Sequence, residues 1–201
     1  MKTEHTTRYE MMERVHDEVV AIKTPLAEER RVNKTLPVIG EGPLTAHIMF
    51  VGEAPGKKEA ATGRPFCGAS GKFLDEMLAS IGLPRSAVYI TNIVKDRPTD
   101  NRDPSAEEIK AYGSFLDRQI EIIKPHVIAT LGRFSMVYIM QKFDVSDQIE
   151  PISKIHGRIC NVSTSKGATI SIVPLYHPAS ALYKGSMRAT LLEDFKVLKG
   201  L

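Results

Sequence analysis

Three polar side chains in this chain each follow the end of an apolar run. Glu53 lies in a Gly/Pro-rich turn after the run at 46–51, Asn92 follows 88–90, and His177 follows 172–176. The carboxyl ends of parallel strands meet at one edge of an open α/β sheet, and ligands bind at that edge. We therefore expect Glu53, Asn92 and His177 to belong to a single site.

These residue types, together with Phe66 in a Pro-Phe turn, suit a pocket for a nucleobase. An aromatic ring such as Phe66 can stack on a base. A fixed Asn92 amide can accept from uracil N3–H and donate to uracil O4, but it mismatches cytosine. His177 can donate to O2 as the base departs, and Glu53 can orient a water at C1′ and stabilise a positive sugar.

Each of these side chains also has an ordinary explanation when it is taken alone. A Glu in a turn is usually solvated, a Phe usually packs in the core, and an Asn at a strand end often forms a turn. The placement of all four in loops after strands favours a site. The Gly-rich segment 68–72 does not match a phosphate-binding loop, because Phe73 stands where that motif needs Ser or Thr.

Almost continuously apolar segments alternate with amphipathic ones along the chain. The pattern predicts strands at 46–51, 87–93, 127–131, 159–163 and 168–175. It predicts helices at 8–23, 70–81, 105–123 and 188–199, a further helix opening at Gly132, and an extended connection at 24–45. Ser105 and Glu108 form a capping-box pattern. The alternation predicts an α/β fold with three α/β/α layers and a mainly parallel central sheet. We expect one domain over 1–201, with 1–45 packing on it.

Composition limits the class of protein. With 201 residues, 42% hydrophobic and 25% charged, the chain is expected to be a soluble globular protein. No apolar run approaches the roughly 20 residues that cross a bilayer, and the charged start of the chain is unlike a signal peptide. We expect a cytoplasmic, DNA-associated protein with no membrane partner. The net charge of +3 permits nucleic-acid binding without establishing it.

Several blocks of sequence closely resemble the family 4, iron–sulfur type, uracil-DNA glycosylases. These blocks are VGEAPGKKEAATGRPFCGASGKFLDEML, IGLPRSAVYITNIVKDRPTDNRDPSAEEI, IKPHVIATLG and VPLYHPASAL. The resemblance implies base flipping and removal of uracil from DNA, with an abasic site left for base excision repair. In the implied site Glu53 and His177 are catalytic, Glu59 lies near uracil C5, and Phe66 stacks on the base. The full set of implied substrate-binding residues is Gly52, Ala54, Glu59, Phe66 and Asn92.

The chain departs from this family at the four cysteines that hold its [4Fe–4S] cluster. The matching positions are occupied by Ala21, Thr24, Asp96 and Tyr112. None of these residues supplies a thiolate, so we expect no cofactor. We expect Tyr112 to fill part of the vacated volume and Asp96 to bond a neighbouring N–H, hydroxyl or arginine.

The expected partner is uracil-containing DNA, single- or double-stranded, with free uracil as product and a monomeric enzyme. Basic residues that flank the pocket motifs, including Lys57, Arg64 and Lys95, can meet phosphates. The loop after His177 includes Ser180 and Leu182, and Leu182 is our candidate for a wedge that enters the base stack. The segment after Asn92 lacks the KRRIH insert of a self-crosslinking relative, so covalent trapping is not expected.

Two alternative functions fit the same residues. One is a uracil- or DNA-binding relative with weak catalysis that serves as a replication or repair accessory. The other is a glycosylase that removes deaminated purines. The presence of Glu53, Phe66, Asn92 and His177 together favours the uracil-DNA glycosylase over the binding protein.

Overall fold

The computed structural model describes residues 4–164 and 167–201. Its centre is a five-stranded sheet in the order β2-β1-β3-β5-β4. The strands are β1 (Ile48–Gly52), β2 (Tyr89–Asn92), β3 (Val127–Leu131), β4 (Cys160–Ser163) and β5 (Thr169–Leu175). β1 pairs in parallel with β2 and β3, β3 pairs in parallel with β5, and β4 is antiparallel to β5.

Helices cover both faces of this sheet. They are α1 (Glu4–Ala21), α2 (Pro25–Asn33), α3 (Lys57–Thr62), α4 (Ala69–Ser80), α5 (Ala106–Ile123), α6 (Arg133–Lys142), α7 (Ile152–Ile155), α8 (Ala179–Tyr183) and α9 (Met187–Phe195). The predicted capping box at the start of α5 is present, because Ser105 and Glu108 each bond the other's backbone N–H. The helix predicted at Gly132 begins at Arg133.

Alternate residues of β1 divide the core into two layers. Met49 and Val51 pack with residues of α5 and α6, whereas Ile48 and Phe50 pack with residues of α4 and α9. All residues of β1, β2 and β3 are buried, as expected for parallel strands covered on both faces. The predicted three-layer α/β/α fold with a mainly parallel sheet is confirmed.

The N-terminal segment adds a small third core against the outside of α5. Val15 and Val19 of α1 and Leu26 of α2 are buried there with Tyr112 and Phe115. No helix within the described ranges is both long and apolar enough to cross a membrane.

The prediction of an extended connection at 24–45 was wrong over its first part, where α2 forms. The Thr24 hydroxyl caps this helix by accepting from the backbone N–H of Ala27 at 3.2 Å. Pro25 occupies the first helical turn, where a missing N–H costs no hydrogen bond. Pro25 therefore begins a helix inside the segment that we expected to be extended.

Candidate active site

A cleft of about 410 Å³ opens at the carboxyl edge of the sheet. The structure brings Glu53, Phe66, Asn92 and His177 together in its lining. Gly52 and Asn92 are paired across the ends of β1 and β2, and His177 follows β5. The remaining lining residues are Ala54, Pro55, Gly56, Glu59, Gly68, Ala69, Ser70, Pro98, Asn101, Arg102, Asp103, Ala179 and Tyr183.

Two glycines let the Phe66 ring lie against the end of the sheet. Phe66 is 6% exposed and has a left-handed backbone, with φ 47°. A Cβ on Gly52 would lie 2.7 Å from the Phe66 ring and 2.3 Å from Asn92 Oδ1, and a Cβ on Gly71 would lie 1.7 Å from the Phe66 carbonyl oxygen. Arg85 donates to that carbonyl at 3.2 Å and holds the turn. The ring is therefore fixed in place beside His177, with 5.7 Å between the two ring centroids.

Asn92 lines this cleft and carries an unpaired acceptor. The residue is 1% exposed, and its Oδ1 has no hydrogen-bond partner among the residues that the structure describes. A buried acceptor without a donor costs about 1–3 kcal/mol. Such an atom at the wall of a cleft points to a ligand that supplies an N–H.

The hydrogen bonding of His177 determines which proton its ring carries. Nδ1 accepts from the backbone N–H of Ala179 at 3.1 Å. Burial lowers the pKa of His177 to about 4, and the Glu59 carboxylate only partly opposes this effect. The ring is therefore neutral near pH 7, and its single N–H is on Nε2. This arrangement provides a neutral donor rather than a cation.

Glu53 is partly buried beside a second carboxylate. Burial and, to a smaller degree, Asp103 raise the pKa of Glu53 to about 7, while Arg133 lowers it. Arg133 also holds Asp103 through a 2.7 Å hydrogen bond. The sequence did not single out Asp103 and Arg133. Arg133 could have been found, because it follows the end of β3 just as Glu53 follows β1.

The structure places the Glu59 side chain against the start of α4. Its Oε1 accepts from the backbone N–H groups of Cys67 at 2.9 Å and Gly68 at 2.8 Å. These N–H groups are at the positive end of the helix, which favours a carboxylate. Glu59 thus lines the cleft and also braces the segment that carries Phe66.

The predicted DNA contacts differ in how accessible they are. Lys57 is exposed, Ser180 is partly buried, and Leu182 is 50% exposed. Arg64 is exposed, but Glu41 accepts from it at 3.0 and 2.8 Å. The sequence did not single out Tyr183, which lines the cleft and is 91% exposed.

The prediction that Lys95 contacts a DNA phosphate was wrong. The side chain is 0% exposed, because it turns back under β2 instead of extending from the loop into solvent. Its Nζ donates to Thr91 Oγ1, the Asn92 carbonyl oxygen and Gln119 Oε1 at 2.8, 2.6 and 2.6 Å. A side chain with these partners is not available to DNA.

Three of the four positions matched to cluster cysteines form one polar network. Tyr112 donates to Asp96 Oδ2 at 2.6 Å, and the hydroxyls of Tyr112 and Thr24 are 2.9 Å apart. Arg30 donates to both Asp96 oxygens at 3.1 Å and to the carbonyl of Val19. We call these residues, Arg30, Asp96, Tyr112 and Thr24, the Arg30–Asp96 network. It joins α1 and α2 to the loop at 96 and to α5.

The residues at these positions do not fit an iron–sulfur cluster. Ala21, the fourth position, is an exposed residue at the end of α1. Cys67 lies beside Phe66, and Cys160 lies on β4. Across 4–164 and 167–201 there is no group of three or more His, Cys, Asp or Glu side chains that could hold a metal ion.

Comparison with known proteins gives consistent matches over most of the chain. A family model described as the uracil DNA glycosylase superfamily matches residues 39–197. A type-4 uracil-DNA glycosylase of Sulfurisphaera tokodaii is 46% identical over 94% of this chain and 84% of its own length. Type-4 enzymes of Archaeoglobus fulgidus and Thermotoga maritima are 44% and 40% identical, over 92% and 96% of this chain and 92% and 95% of their own lengths.

Proposed function

This chain belongs to the uracil-DNA glycosylase superfamily, and we propose that its cleft hydrolyses the N-glycosidic bond of deoxyuridine in DNA. It is a uracil-DNA glycosylase, similar to type-4 enzymes over more than nine tenths of its length. The products are free uracil and an abasic site, as in the first step of base excision repair.

The observation that carries this proposal is the unpaired Oδ1 of Asn92. Uracil carries an N3–H that can donate to this atom, whereas cytosine carries an unprotonated N3 there. A cytosine would leave two acceptors facing each other in a site with little water. A mismatch of that kind costs a few kcal/mol, which is sufficient for strong discrimination.

The target base must leave the duplex to reach Asn92. Asn92 is 1% exposed, so its amide is out of reach of a base that remains stacked and paired. The base flips into the cleft, where the Phe66 ring provides a stacking surface. Unpairing costs a few kcal/mol, which the contacts of the flipped base offset.

Bond cleavage then uses Glu53 and His177. As the C1′–N1 bond breaks, its electron pair moves to the base, and negative charge collects on O2. The Nε2–H of His177 donates a hydrogen bond to that oxygen, and the His177 ring itself carries no charge. The ionised Glu53 stabilises the positive sugar and accepts a proton from the water that attacks C1′. Glu53 then releases this proton to solvent and the departed uracil anion takes one up, which completes a monofunctional hydrolysis.

Release of uracil from a labelled oligonucleotide tests this proposal. We expect wild type to produce abasic sites in single- or double-stranded substrate, and Asn92→Ala and His177→Ala to reduce the rate by about 10²-fold or more. No abasic product at high enzyme concentration would favour the binding-protein alternative. Equal turnover of hypoxanthine and uracil would favour the deaminated-purine alternative.

DNA contacts are proposed around the mouth of the cleft. Lys57 is placed to meet a phosphate, and Leu182 and Tyr183 extend from α8 beside the site. An exposed aliphatic or aromatic side chain at this position can occupy the gap left by a flipped base. We propose a monomeric enzyme that acts on DNA inside the cell.

We also propose that the enzyme works without an iron–sulfur cluster, with the Arg30–Asp96 network connecting the segments instead. The support is the side chains themselves, which include no thiolate and which bond one another. Purified protein is expected to lack an absorbance band near 400 nm and to keep its activity after chelation. Stoichiometric iron, or loss of activity with a chelator, would contradict this proposal.

A further inference from the structure

The buried Lys95 side chain makes contacts that the reaction described above does not use. Its Nζ has three hydrogen-bond partners, at 2.6 to 2.8 Å, on β2 and α5. One of these partners is the backbone carbonyl of Asn92, the residue that faces the base. Lys95 is thus one hydrogen bond away from the specificity-determining residue.

All three partners of Lys95 act as acceptors. Thr91 Oγ1 donates its own proton to the Ile39 carbonyl at 2.7 Å, so it accepts from Lys95. The Gln119 NH₂ donates to the Ile39 carbonyl at 2.9 Å and to the Tyr89 hydroxyl at 3.1 Å. These bonds turn Gln119 Oε1 toward Lys95. Burial lowers the pKa of Lys95 well below its usual value, whereas three accepting oxygens within 2.8 Å favour the form of Nζ that carries three N–H groups.

The bond to Asn92 acts at the point where β2 ends. The backbone N–H of Ile93 still pairs with the Gly52 carbonyl at 3.0 Å, but the Asn92 carbonyl is held by a side chain. The bond from Nζ to this carbonyl oxygen is short, at 2.6 Å, and both residues are buried away from water that could replace it. The Lys95 bond therefore fixes the peptide plane from which the Asn92 side chain projects.

We propose that Lys95 is a positioning residue that holds Asn92 in the orientation that recognises uracil. This inference rests on the proposed role of Asn92 as the residue that reads the base. Without Lys95, the Asn92 carbonyl, Thr91 Oγ1 and Gln119 Oε1 lose their shared donor. The end of β2 then relaxes, and Oδ1 moves away from the position of N3–H. A displacement of about 1 Å in a reacting site can cost about 10²-fold in rate.

The test compares Lys95→Met with Tyr89→Phe. Lys95→Met keeps the length of the side chain but removes its donors. Tyr89→Phe removes a buried hydroxyl that accepts from Gln119 at 3.1 Å and leaves all three partners of Lys95 in place. Each variant is measured for thermal stability, single-turnover uracil release, inhibition by free uracil, and affinity for DNA that carries a stable abasic analogue.

We expect Lys95→Met to lose about 10²-fold in uracil release and to show weaker inhibition by uracil, while its affinity for abasic DNA stays within about threefold. Tyr89→Phe is expected to stay within about tenfold of wild type in uracil release despite the loss of a buried hydrogen bond. Near-wild-type turnover by Lys95→Met, or equal losses in both variants, would overturn the proposal. Inactive wild type would instead refute the glycosylase function.

If Lys95→Met does not fold, the wild-type protein still provides a test. The side-chain ¹⁵Nζ resonance of Lys95 can be detected by NMR through the non-exchanging Hε protons, in either protonation state of the amine. Addition of free uracil is expected to shift this resonance. A Lys95 signal that does not respond to saturating uracil would contradict a link to the base pocket.

Discussion

The protonation of Glu53 should set the pH dependence of uracil release. Burial and Asp103 raise the pKa of this carboxyl to about 7. Because the reaction needs the carboxylate, activity should rise as pH increases through that value. Glu53 is about 9% ionised at pH 6 and about 91% ionised at pH 8, so kcat/KM should rise roughly tenfold between them.

His177 should not add a descending limb to this profile. Burial lowers its pKa to about 4, so the ring stays neutral from about pH 5.5 upward and its Nε2–H remains available. The profile should therefore rise to a plateau. Single-turnover release of uracil at enzyme concentrations below saturation gives kcat/KM, and its profile from about pH 5.5 to 8.5 records the midpoint.

Two variants connect the midpoint to the structure. Asp103→Asn removes the carboxylate that raises the pKa of Glu53 and frees Arg133, which lowers it, so the midpoint should move to lower pH. Glu53→Gln should remove the rising limb and leave a slow, pH-independent rate. A flat wild-type profile, or a midpoint that moves upward in Asp103→Asn, would refute this account of Glu53.

Three further predictions concern stability and DNA contact. Glu53→Gln should stabilise the protein by about 1–2 kcal/mol at pH 8, because the folded carboxylate has a raised pKa that solvent partly screens, and should have no effect near pH 4; urea unfolding at both pH values checks this. Asp96→Ala leaves the buried Arg30 unpaired and should cost about 3–5 kcal/mol in urea unfolding. Glu18→Gln, which breaks the exposed pair with Arg118, should cause little change and serves as its control. The chain has no Trp, so Tyr183→Trp gives a single fluorophore whose emission should change on binding abasic DNA, whereas Tyr9→Trp, on α1, should give no change.

Residues at strand ends could be predicted from the sequence, because the apolar runs predict the strands and the residue after each run must lie at a strand end. Glu53, Asn92 and His177 follow apolar runs that become β1, β2 and β5, and parallel pairing brings those ends to one edge. No contact between distant residues had to be known. The fold and the principal cleft residues were predictable for the same reason.

Contacts between distant charged residues could not be predicted in this way. Arg30 and Asp96 are 66 positions apart, and Arg133 and Asp103 are 30 apart, so only the folded chain shows which charges meet. The prediction that Lys95 contacts a phosphate was wrong for a related reason. Its position after a strand suggested exposure to solvent, but the side chain turns back to Thr91 and Asn92, four and three residues earlier.

The close approach of Gly71 to Phe66 has a consequence for how this protein tolerates mutation. Gly71 is outside the cleft lining, yet even a methyl group there would lie 1.7 Å from the Phe66 carbonyl oxygen. The first turn of α4 would have to move, and the aromatic surface for the base would move with it. In a saturation screen selected for uracil release, position 71 should therefore accept as few substitutions as a residue that contacts the substrate.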